Sequence, residues 1–125
     1  MSMPDSEYYR RFQNLINGLV EKTRAAVKNG EKMWDAVGPD VYELTLQKSS
    51  MTIRSRDGDG TYPYIFELVD SLGKTVETLE DNPVDGQVEL GPLYKVVTRG
   101  FKDKAVDDTI TDILRELDLP DVPPF

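Results

Sequence analysis

Two groups of aspartates are the side chains of this sequence best spaced for chemistry. Asp57 and Asp59 alternate with Gly58 and Gly60, and closely spaced carboxylates on a tight loop suit hard cations such as calcium. The twelve-residue calcium loop requires glycine at its sixth position and glutamate at its twelfth; counted from Asp57, those positions hold Tyr62 and Leu68. An acidic turn between strands is the favoured reading, because Asp and Gly populate turns readily. The second group, Asp103, Asp107, Asp108 and Asp112, recurs at helical spacing, which brings most of it near one face. Such a stripe can gather a divalent ion, imitate a phosphate backbone or meet a basic protein. It is also what the solvated side of any amphipathic helix looks like, and that reading is preferred.

Aromatic residues offer a third possibility. Tyr62, Tyr64 and Phe66 alternate as in a strand, and Arg54 and Arg56 lie one strand earlier, a combination that stacks and neutralises single-stranded nucleic acid. Sheet aromatics serve packing far more often. The net charge of −8 also opposes a phosphate partner. The charge is uneven: residues 1–56 carry nine basic and seven acidic side chains, whereas residues 57–125 carry six and sixteen. A basic protein is the macromolecule this acidic half suits, and neither nucleic acid nor an anionic membrane surface is expected.

The chain has neither histidine nor cysteine, so the commonest general base, the thiolate nucleophile and the usual zinc ligands are absent. No phosphate-binding glycine loop occurs, and no cofactor and no catalytic residue are assigned. The chain is expected not to be an enzyme. No run approaches the roughly 20 apolar residues of a membrane span. The opening Met1-Ser2-Met3-Pro4-Asp5 has neither the basic nor the apolar segment of a secretory signal, so the expected compartment is the cytoplasm.

The elements that position these residues follow from periodicity. Phe12, Leu15, Ile16, Leu19, Val20, Thr23, Ala26 and Val27 recur at helical spacing, predicting a long first helix over 6–29 that stops at Asn29-Gly30. One or two further helical turns are expected across 31–37, carrying Met33 and Trp34. Alternation then predicts four strands, over about 41–48, 51–56, 62–70 and 75–79, joined by short turns as an antiparallel meander. The third has apolar residues on both faces and is expected at the centre of the sheet, covered on both sides. A loop over 80–87 leads to Gly91-Pro92, a helix start with proline in the first turn. Gly100 is expected to break this C-terminal helix into a pair, with Asp103 capping the second part. Beyond it, Val106, Ile110, Ile113, Leu114 and Leu117 form an apolar stripe.

The expected fold is therefore α+β: a long N-terminal helix, a four-stranded antiparallel meander, and a C-terminal helix or broken helix pair on one sheet face. One domain is expected over residues 1–119, followed by a proline-rich tail over 120–125. A helix of 24 residues is roughly 36 Å long, whereas strands of seven or eight residues span about 25 Å. An overhanging first helix would expose Tyr8, Tyr9 and Phe12 at one end and Met33 and Trp34 beyond the other. Large apolar groups in such a place favour burial against a second copy, so a homodimer is expected. The function that follows is a self-associating protein-interaction domain. The alternatives are an acidic, nucleic-acid-mimicking inhibitor acting through Asp107, Asp108 and Asp112, and a carboxylate- or metal-dependent enzyme.

Overall fold

The computed structural model describes residues 5–81 and 88–120. Most of the 80–87 loop, the first four residues and nearly all of the 120–125 tail lie outside it. The order is α1 (Asp5–Lys28), β1 (Asp35–Gly38), β2 (Val41–Thr45), β3 (Ser50–Ser55), β4 (Tyr64–Val69), β5 (Thr75–Asp81) and α2 (Gly91–Glu116). The fold is α+β as expected, with five strands rather than four.

The additional strand replaces the helical turns expected across 31–37. Helix α1 ends in a Schellman arrangement: Gly30 has φ +71°, its N–H donates to the Val27 carbonyl, and the Glu31 N–H donates to that of Ala26. The chain then doubles back and Trp34 inserts into the core, its Nε1–H donating to Thr23 Oγ1 over 2.9 Å. With Trp34 held in this way, Asp35–Gly38 runs out as an edge strand. It pairs with β2 through a tight turn in which Asp40 takes φ +61°.

The five strands form an antiparallel meander, β1-β2-β3-β4-β5. The centre is β3, not the strand around Phe66 as the apolar pattern suggested. Register sets Ile53 beside Tyr42 and Phe66, and Met51 beside Leu44 and Leu68. Strand alternation puts all of these on the face that carries the helices. The same core includes Ile16, Leu19 and Val20 of α1 and Leu93, Tyr94 and Val97 of α2. Both helices therefore cover one face of the sheet. The opposite face is polar, with ion pairs between Arg54 and Glu67 (3.4 Å) and between Arg56 and Glu80 (3.2 Å). β4 is thus not enclosed between two layers; Ile65 on its outer face is 9% exposed among these neighbours.

The two helices run side by side in the same direction. At one end the Gln13 amide brackets the backbone of Glu89, accepting from its N–H at 2.7 Å and donating to its carbonyl at 3.3 Å. At the other end Gly100 meets Val27. Glycine does not break α2, which is continuous from Gly91 to Glu116. Helix α1 stops at Lys28, but α2 continues from Gly100 to Glu116, about 24 Å farther at 1.5 Å per residue. The overhang expected of the first helix belongs to the last.

Candidate functional site

Two regions warrant consideration, a polar cluster inside the fold and the projecting half of α2. The cluster centres on Asp40. Its Oδ2 accepts from the Ser55 backbone N–H at 3.1 Å and from the Ser55 hydroxyl, while its Oδ1 accepts from the Tyr94 hydroxyl. Ser55 Oγ in turn accepts the Gly60 N–H at 3.1 Å. One carboxylate thereby ties the β1–β2 turn to the end of β3, to the 57–60 loop and to α2. Tyr64 stacks on Tyr94 with ring centroids 4.4 Å apart, Tyr42 lies edge-on to Tyr94, and Phe101 lies 5.0 Å from Tyr42. Burial and the bond to Asp40 push the Tyr94 phenol above its ordinary range; burial and the Asp40 charge do the same for Tyr42 and Tyr64. A serine hydroxyl facing a carboxylate resembles an activated nucleophile in outline. Ser55, however, is only 1% exposed, and its hydroxyl is committed to Asp40 and the Gly60 N–H, so the arrangement clamps the fold. Sequence spacing gives no hint of this cluster, whose members lie 15 and 54 residues from Asp40.

The Asp57–Gly60 loop satisfies itself. Gly58 and Gly60 both take positive φ, and Asp59 accepts the Thr61 N–H at 3.0 Å, which holds its carboxyl below the usual range. Asp57 pairs with Arg56 at 3.3 Å. Among the described residues no three carboxylates gather closely enough to hold a metal ion. The aromatic and basic residues considered for base stacking separate across the sheet: Tyr64 and Phe66 point into the core, and Arg54 lies on the opposite face against Glu67.

The side chains proposed for a partner also separate. Tyr8, Tyr9, Phe12 and Met33 are half-buried, with Tyr9, Phe12 and Met33 packed on the core, and Trp34 is 3% exposed. Tyr8 donates its hydroxyl to Glu77 of β5, which raises its pKa to about 12. The ends of α1 therefore present little free apolar surface. Asp107, Asp108 and Asp112 are exposed on α2. Their helix supplies cations of its own: Lys104 pairs with Asp108 at 3.2 Å, Arg115 with Asp112 at 3.8 Å, and Arg99 with Asp103 at 3.5 Å. This partial neutralisation weakens the case for a phosphate mimic.

A row of exposed apolar side chains lies elsewhere on the same helix. Val106, Ile110, Ile113 and Leu117 are 48%, 50%, 46% and 63% exposed. At about 100° per residue they sit roughly half a turn around α2 from Val97, which faces the core. The positions that continue the Val97 face outward are Lys104, Asp108, Asp112 and Arg115, all polar. α2 is therefore amphipathic twice, with one apolar face toward the sheet in its first half and another directed away from it in its second. The projecting end is well formed. It closes in a second Schellman arrangement, Leu119 N–H to Leu114 carbonyl at 2.8 Å and Asp118 N–H to Arg115 carbonyl at 3.3 Å, with Asp118 at φ +55°.

No helix among the described residues is long and apolar enough to cross a membrane. Comparison with protein families, with curated proteins and with solved structures returned no match.

Proposed function

We propose that this chain is a non-enzymatic protein-interaction domain that self-associates, and that the projecting half of α2 carries the contact. The observation behind this reading is the seam Val106–Ile110–Ile113–Leu117, four large apolar side chains about half exposed on the projecting half of a helix closed at its C-terminal end. A row of this kind at helical spacing is how one helix recognises another. The sheet and α1 serve as a base that holds the first half of α2 and so gives the second half a fixed direction. The absence of histidine and cysteine supports a binding role over catalysis. A cysteine-free chain also needs no oxidising compartment, which fits the cytoplasm.

Light scattering across a concentration series tests the proposal. The weight-average mass should rise from monomer toward dimer through the micromolar range, and Ile110→Asp with Ile113→Asp should hold it at the monomer. A wild-type chain that remains monomeric at high micromolar concentration would sink this reading.

A further inference from the structure

Resting on the self-association reading, we infer that the occupant of the α2 seam is the same seam of a second copy, lying antiparallel about a two-fold axis near residues 111 and 112. The steps from Val106 to Ile110, Ile113 and Leu117 are four, three and four residues, a spacing that reads the same from either end. Reversing one helix against another therefore brings Val106 opposite Leu117 of the second copy and Ile110 opposite its Ile113, and each layer repeats in mirror order. All four exposed side chains are covered at once. A two-fold contact requires this self-complementarity; an arbitrary partner does not.

Charge favours the same direction. The proximal end of the seam is flanked by Arg99 and Lys102. In the antiparallel arrangement Lys102 lies just past the C-terminal end of the other helix, about 8 Å along the axis from Glu116, where the helix dipole is negative. A parallel pair would instead set Arg99 against Arg99 and Asp103 against Asp103, and would align the two dipoles unfavourably. The seam faces half a turn away from the sheet side of α2, so neither folded body blocks the approach. One helix pair about 24 Å long buries on the order of 1,000 Å² in total, the lower end of specific interfaces. The dimer should therefore exchange in the micromolar range.

Because the chain has no cysteine, introduced thiols report the register directly. The full-length chain is prepared as Val106→Cys and, separately, as Leu117→Cys, and each is treated with a short bismaleimide above the dimerisation midpoint. In the antiparallel pair the two 106 positions lie about 16 Å apart along the axis, whereas 106 and 117 of opposite copies are adjacent. Mixing the two variants should give at least tenfold more cross-linked dimer than either gives alone. Efficient linkage of Val106→Cys with itself would overturn the antiparallel arrangement. Linkage in no combination while light scattering still shows a dimer would remove the seam but leave self-association by another surface. Loss of the dimer in the unmodified chain would remove the underlying reading as well.

Discussion

Gly100 of α2 faces Val27 of α1 with no room for a side chain: a Cβ on Gly100 would stand 2.9 Å from Val27 Cγ2. Glycine is the worst helix former after proline, so its place inside a 26-residue helix needs a reason. Close packing supplies it.

Gly100→Ala should accordingly destabilise the fold even though alanine favours helix. The propensity gain is about 1 kcal/mol, and overpacking against a stiff β-branched side chain costs roughly 1–3 kcal/mol. A net loss near 1 kcal/mol is expected in urea denaturation. In a Val27→Ala background the same substitution should become stabilising, and additive effects would refute the packing explanation.

Thr23→Val should cost about 1–3 kcal/mol, because the buried Trp34 N–H loses its acceptor while the side-chain volume is kept. Trp34 is the sole tryptophan of the chain, so its fluorescence follows unfolding without interference. Thr23→Ser retains the oxygen and should recover most of the loss.

Asp40 combines three accepted hydrogen bonds with a positive φ, and two substitutions separate these contributions. Asn tolerates the left-handed region and keeps one acceptor, so Asp40→Asn should lose about 1 kcal/mol. Asp40→Ala gives up both features and should lose about 3 kcal/mol or more. Equal melting temperatures for the two variants would show that the cluster does not clamp the fold.

Alkali should destabilise the native state before it disrupts anything else. Tyr8 is raised to about 12 by its bond to Glu77, and Tyr94 is raised by burial and its bond to Asp40. In the unfolded chain both ionise near 10. Below that pH the stabilisation is complete. As pH climbs from 10 through 12, the unfolded chain releases protons that the native state still holds, and stability falls. Denaturation midpoints measured from pH 8 to 12 should bend downward near 10, and Tyr8→Phe or Tyr94→Phe should flatten the decline.

Asp118→Gly should strengthen the end of α2. The position takes φ +55°, which glycine adopts freely, and a carboxylate there opposes the negative end of the helix dipole. A gain of about 1 kcal/mol is expected locally, visible as slower amide exchange over residues 110–117.

Much of the meander was legible from alternation alone, since Tyr42, Leu44, Met51, Ile53, Phe66 and Leu79 do line one face. What escaped was decided by long-range contacts. Asp35–Gly38 is only four residues long and exposed at its first three, so it has no apolar pattern, and the strand exists because Trp34 is anchored to Thr23. Gly100 suggested a helix end because propensity is local, whereas the contact with Val27 spans 73 residues of chain. The Val106–Leu117 stripe was visible, but a stripe is ordinarily core. Only an unbroken α2 shows that this one points roughly half a turn away from Val97. The Asp40 cluster left no trace in spacing, because a turn, a strand end and a distant helix contribute one group each.

The two opposed apolar faces of α2 also separate what selection can change. Substitutions at the buried Leu93 or Val97 should alter the stability of the domain, whereas those at the half-exposed Ile110 or Ile113 should leave the folded body intact. A single helix thus carries one surface constrained by folding and another constrained, under the proposed self-association, by the dimer contact alone, so that affinity could be tuned along the second without the mutational load that a shared core would impose.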